Sequence, residues 1–286
     1  VQQHVELQAR RAEQLHALAL IALVACHGGG DVPAKPPAQT IRVAVIGGMM
    51  ETGFWPEIAG RYERLTGNKI ELASTGNKQI VVDAFRKGGI DLITFHASDA
   101  FVNLVADGLA VDPQPWARND LVIVGPADDP AHVRGQRDAL AAVKQIIDAK
   151  LSFVVHASMG ADGVLHDIME AGHLTLPAEQ TITFGGENQH AILDRAAEAH
   201  AYTLVGRIPF LDGKLKRDGI ELMVRGDPRL QRPYLVAVAP HAPAAARDLA
   251  TFLRDPSTQE FIAGFGKGKY DDAPLFFPVA VAPASK

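Results

Sequence analysis

Ser158 stands in His156-Ala157-Ser158-Met159-Gly160, between an apolar β-branched run and a helical pattern. That is where a nucleophilic serine sits on a strand-to-helix elbow. Asp194 or Asp212, then His200 or His241, would follow in a chain order suited to a hydrolase triad. The elbow needs a small residue where His156 stands, so this chemistry is the lesser reading and no enzyme is expected. The chain has 11 histidines but no H-E-x-x-H and no pair four residues apart on a predicted helix. His156, Asp162, His166 and His190 could converge, yet their spacing defines no ligand set, and neither a metal nor another cofactor is expected. Gly47-Gly48 reads equally as a tight strand-to-helix turn and as a loop approaching a ligand. Thr75 and Asn77 suit helix capping, which is compatible with ligand contact. Glu187-Asn188-Gln189-His190 follows a strand and opens a helix, where it supplies polar contacts or a solvated start.

The one cysteine excludes an internal disulfide and a Cys-rich zinc site. Its position is informative. Arg10 and Arg11 precede an apolar run from Leu15 to Ala25 that ends in Leu23-Val24-Ala25-Cys26. The run is too short to span a bilayer but suits the apolar core of a signal peptide. The last four residues read as a bacterial lipobox, in which cleavage before the cysteine leaves Cys26 acylated. The expected order is thus a lipoprotein signal peptide over 1–25 and a Gly- and Pro-rich tether over 26–40. This places the protein in the bacterial periplasm, held to the membrane by Cys26. Nothing later is long and apolar enough to span a membrane. A net charge of -5 with no dense basic cluster disfavours nucleic acid.

Chemistry-bearing loops need elements to hold them, and these alternate from Ile41 onward. Short β-branched runs begin at Ile41, Lys69 and Asp91, separated by helical patterns around Trp55 to Leu65 and Gln79 to Phe85. A second cycle runs from Leu121 through strands near Leu151, Thr181, Tyr202 and Glu221, then returns through Tyr234 to Val238 into two helices. The expected fold is α/β: two doubly wound lobes joined by a two-strand hinge. Lobe I would take 41–120 plus 236–286, and lobe II 121–235. Trp116 and Arg118 precede the first crossing and are expected to hold the hinge. Met49, Met50 and Met159 read equally as core gap-fillers and as soft lining of the cleft.

Several segments resemble the tungstate-binding branch of bacterial ABC solute-binding proteins, a type II periplasmic binding protein family. They are Arg118-Asn119-Asp120-Leu121-Val122-Ile123-Val124-Gly125-Pro126 with Asp128-Asp129-Pro130; Gly226-Asp227-Pro228-Arg229-Leu230 with Pro233-Tyr234; Phe265-Gly266-Lys267 through Tyr270; and Leu275-Phe276-Phe277-Pro278. The resemblance implies a monomer that captures a small solute between its lobes for an ABC permease. It implies ligand contacts from Gly47, Gly48, Met49 and Thr52; from Thr75, Gly76 and Asn77; from His96; and from His156, Ser158 and Met159, with Glu187 a further candidate from its position alone. Here the family's hydroxyl run after the first strand reads Gly47-Gly48-Met49-Met50, and its arginine reads His156. The expected ligand is therefore either an oxyanion such as tungstate or molybdate, or a larger and less charged solute. The alternative on the same fold is a sensor or carrier without an importer.

Overall fold

The computed structural model describes residues 37–156, 160–185 and 189–280. The expected signal segment, Cys26 and most of the expected tether lie outside these residues, as do Ser158, Met159 and Glu187. The fold is mixed α/β, with two lobes joined by a pair of strands.

Lobe I is built on β1 (Thr40–Ile46), β2 (Lys69–Gly76) and β3 (Leu92–His96). β1 pairs in parallel with both β2 and β3. A strand covered on both faces by helices reads as a continuous apolar run, as Val43 to Ile46 does. Two helices follow β1: α1 (Gly47–Glu51) and α2 (Phe54–Thr66). α2 buries Phe54, Trp55, Ile58 and Tyr62 and ends at Gly67, whose φ of 82° suits a residue without Cβ. Leu65, which helical spacing assigned to that buried face, is 68% exposed, because the last turn of α2 runs past the core. α3 (Lys78–Arg86) follows β2, and α4 (Asp99–Ala106) follows β3.

The crossing to lobe II is β4, a strand from Val111 to Pro126 that serves both halves. Up to Asp120 it pairs with β9 (Gln231–Val238), and from Leu121 it pairs with β7 (Tyr202–Gly206). Trp116 anchors it in lobe I: its indole Nε1 donates to Thr94 Oγ1 at 2.8 Å, and that hydroxyl donates to the Leu235 carbonyl at 2.9 Å. Arg118 exchanges backbone hydrogen bonds with Phe277, tying the C-terminal segment to the crossing. Phe276 stacks on Phe54 at 4.0 Å.

Lobe II continues through α5 (Ala139–Asp148), β5 (Phe153–His156), α6 (Gly160–Ala171), β6 (Thr181–Phe184) and α7 (Gln189–Glu198). After β7 come a short α8 (Arg207–Leu211) and β8 (Ile220–Val224), which pairs antiparallel with β4. Strand periodicity divides its core in two. Leu121 and Ile123 join one buried cluster, and Val122 and Val124 the other, on the opposite face. α9 (Ala244–Phe252) and α10 (Pro256–Gly264) complete lobe I after β9.

Gly125 in β4 has a specific steric reason. A Cβ there would lie 2.3 Å from the Tyr202 ring, which is itself buried. Gly125→Ala should therefore cost about 1–3 kcal/mol, the usual penalty of overpacking a core, and a urea melt would read it as a lower midpoint.

Candidate ligand cleft

The carboxyl ends of β1, β2 and β3 lie side by side, and the loops after them form one rim. Ile46 pairs with Gly76, and a Cβ on Gly47 would be 3.3 Å from the Gly76 carbonyl oxygen. The two loops are thus in near contact, and glycine at 47 is what permits it. Gly76 has a φ of 149°, and a Cβ there would meet the Ile80 side chain at 2.9 Å. Asn77 caps α3, its Oδ1 accepting from the Ile80 N–H at 3.1 Å. Thr75 and Gly48 are exposed on the rim. Thr52 Oγ1 donates to the Gly48 carbonyl at 2.8 Å, so its hydroxyl closes the end of α1.

Two residues expected at the ligand are buried within their lobes. Met49 is fully enclosed in the lobe I core, so any ligand contact from it is through backbone. The chain continues into α1 directly after Ile46, and that rotates the third residue inward. The His156 ring is 2% exposed and meets Phe184 edge-on at 5.7 Å. In this conformation it is packed within lobe II and is no surface counterpart of an arginine clamp.

His96 ends β3 and faces the crossing. Its Nε2 pairs with Asn119 Oδ1 at 3.2 Å, and its ring lies 4.1 Å from that of Tyr234. Burial, followed by the charge of Arg232, pushes its pKa well below the usual histidine value, against the Asn119 hydrogen bond; Lys78 pushes the same way. The imidazole is therefore neutral at pH 7, with two cations close by. Lys78 is the first residue of α3, and Arg232 lies on β9 opposite Asn119. At the outer edge, Lys214 of lobe II reaches Glu51 of α1 at 2.7 Å, an exposed ion pair between the lobes.

Among the described residues, no group of three or more His, Cys, Asp or Glu side chains could hold a metal. Sequence reasoning passed over Lys78, Ser98, Asn119 and Arg232. The available signal was Arg232 itself, a cation in a strand otherwise rich in apolar residues and set beside Pro233-Tyr234.

The profile of the bacterial extracellular solute-binding proteins matches residues 41–266. The chain belongs to that family. A putative ABC transporter anion-binding protein from Haloferax volcanii is 29% identical over 273 residues, covering 89% of this chain and 76% of that protein. The tungstate-binding protein TupA of Peptoclostridium acidaminophilum is 27% identical over 267 residues, covering 88% of this chain and 90% of that protein. Among solved structures, the tungstate-binding protein TupA of Desulfovibrio alaskensis G20 superposes with a TM-score of 0.66 at 24% identity, over 85% of this chain and all (100%) of the other. The tungstate ABC transporter structure from Geobacter sulfurreducens gives a TM-score of 0.60 at 21% identity, over 79% and 98%. These likenesses establish the two-lobed fold of this solute-binding protein. Among its described residues, no helix is long and apolar enough to cross a membrane.

Proposed function

We propose that this solute-binding protein captures a small divalent oxyanion of the tungstate and molybdate type between its lobes and presents it to an ABC importer. The observation that carries this reading is the charge around the strand ends. Arg232 and Lys78 both act on His96, and the neutral His96 bonds to an amide, Asn119. Cations placed at the strand ends suit an anion, and the Glu51 carboxylate beside Gly47 is already paired with Lys214. The anion-binding and tungstate-binding names of the two relatives point the same way.

Capture needs no chemistry. One lobe offers the loops at Gly47-Gly48 and Thr75 to Asn77, where backbone N–H groups lie at strand-to-helix junctions. The other offers the loop after His156. A ligand held by both stabilises the closed arrangement by its extra contacts there, and the hinge at β4 and β9 absorbs the movement. Acylation of Cys26 would keep the protein at the outer face of the membrane, with the segment before Ala38 as tether.

Calorimetric titration of the protein, refolded free of ligand, with sodium tungstate tests the reading. Saturable binding at or below micromolar concentration is expected. Folded protein that gives no heat with tungstate, molybdate or sulfate would end the oxyanion reading, and co-purified small molecules would then be sought by mass spectrometry.

A further inference from the structure

Two arginines sit at the crossing between the lobes, and they are treated in opposite ways. Arg207, 1% exposed, has its N–H groups taken up by Asp120, by Asp271 and by the Pro274 carbonyl. Arg232 makes no side-chain hydrogen bond and no ion pair among the described residues, although its Nε is shut off from solvent. Its nearest acidic influence is Asp120, whose carboxylate already accepts from Arg207 Nε at 2.7 Å. An enclosed guanidinium N–H is ordinarily paired, because removing it from water without a partner is costly, and Arg232 as a whole is only partly buried.

The surroundings of Arg232 make its unpaired state more costly still. A Cβ on Gly160 would lie 3.1 Å from Arg232 Nη1, so the guanidinium presses on the first turn of α6. The free N–H groups of a helix N-terminus carry partial positive charge and oppose the cation, although the same turn also carries the carboxylate of Asp162. On the lobe I side, the Ala97 N–H donates to the Pro233 carbonyl at 2.9 Å, which sets Ser98 beside the start of β9. Ser98 occupies the capping position of α4 but makes no capping bond, and its Oγ is enclosed without a partner. Arg254 Nε is also enclosed. It follows the C-terminal end of α9, however, where free carbonyls favour a cation.

We propose that Arg232 is the charged anchor of the ligand site, holding a tetrahedral oxyanion between its guanidinium, the first turn of α6 and Ser98. The inference rests on the oxyanion reading and adds which residue supplies the charge and from where. The cation comes from a hinge strand, and the two other donors come one from each lobe. An anion there neutralises the repulsion between guanidinium and helix end only while α6 stays close. Binding and lobe closure are thereby coupled through one side chain. His156, packed inside lobe II, is not needed as the clamp.

Calorimetric titration with sodium tungstate, comparing wild type with Arg232→Gln and Arg232→Lys, tests this. Losing one charge-assisted hydrogen-bonding group should weaken binding about 10- to 100-fold in Arg232→Gln. Arg232→Lys should recover part of the loss, since lysine keeps the charge but not the fork. Thermal melts without ligand should show Arg232→Gln no less stable than wild type, whereas a structural arginine would lower stability and affinity together. Arg232→Gln binding within threefold of wild type would overturn the proposal and leave the oxyanion reading standing. A wild type that binds none of tungstate, molybdate and sulfate would bring down both. If Arg232→Gln does not fold, Arg232→Lys decides alone: affinity at least fivefold weaker supports the anchor, and unchanged affinity refutes it.

Discussion

Arg207→Met should destabilise the protein by about 3–5 kcal/mol, the usual result of removing one partner from a buried ion pair. The side chains of Arg207, Asp120 and Asp271 are 1%, 3% and 7% exposed, with bonds of 2.7 Å to Asp120 and 3.0 Å to Asp271. Arg225 adds a 2.8 Å contact to Asp271 from the loop after β8. The network joins the hinge strand β4, the start of α8 and the C-terminal segment. Methionine fills much the same space but leaves two enclosed carboxylates, only one of which keeps an arginine. At this chain length the melting temperature should fall by roughly 10 °C. The deficit should depend on pH. Burial already raises the Asp120 pKa, against the pull of Arg207 and with a further push from Asp271. Without Arg207, the folded state holds the Asp120 proton to higher pH than the unfolded chain does. Stability of the variant therefore rises as pH falls through that folded pKa, and its deficit relative to wild type should shrink on acidification. Melts at several pH values between 5 and 8 would check this; a deficit that stays constant, or grows in acid, would contradict the assignment.

Asp227→Ala should cost about 3 kcal/mol, and its deficit should also shrink in acid, here because the wild type loses stability rather than because the variant gains it. Asp227 is 2% exposed and ties its own turn to the start of α5 with one carboxylate. Its Oδ2 accepts from the Ala139 N–H at 2.6 Å, opening α5, and its Oδ1 accepts from the Arg229 N–H at 2.8 Å. The Arg229 guanidinium closes on the same group at 2.7 Å and reaches Asp138, the cap of α5, at 2.7 Å. Burial works against the charge, but the hydrogen bonds from Arg229 and from the Ala139 N–H win, and the pKa lies below the usual carboxylate value. The contribution is therefore complete above the unfolded value of about 4 and is lost as pH falls through the folded one. Alanine leaves a buried N–H unsatisfied, and charged hydrogen bonds are worth about 1.5–3 kcal/mol each. Urea titrations at pH 7 and pH 3 should show a large gap between variant and wild type at neutrality and a smaller one in acid. Equal gaps at the two pH values would show that the carboxylate charge is not what holds the segment.

Asp227 and the Arg207 partner Asp120 lie in segments that carry the family resemblance, and the structure explains why those segments have their composition. Asp129 in Asp128-Asp129-Pro130 accepts from the Val133 and Arg134 N–H groups and from the Tyr202 hydroxyl. Gly266 has a φ of 71°, and a Cβ there would meet Leu275 at 2.4 Å. Such residues answer to local demands of backbone and capping, which leave a trace in composition.

The strands and helices of both lobes were legible for the same reason: apolar periodicity follows directly from which face an element buries. Less legible were the elements whose pairing overrides local chemistry. The stretch Val111 to Asp120 joins β4 despite Pro113, Pro115 and a φ of 52° at Asp112, because its register against β9 shifts to accommodate them. The short α1 and α8 begin at glycine and arginine without a capping side chain. No sequence signal marks such starts.

The amino-acid sequence by itself determined the alternation of elements, the two-lobed α/β class and the loops at the strand ends, since each follows from short-range periodicity and turn chemistry. Which side chains meet in the cleft was decided by tertiary structure alone. Met49 and His156 are buried by packing, while Arg232, a residue of the hinge strand, lies against α6 with its Nε enclosed. Side-chain direction and electrostatic compensation depend on partners far apart in the chain, and spacing along one strand carries no record of them.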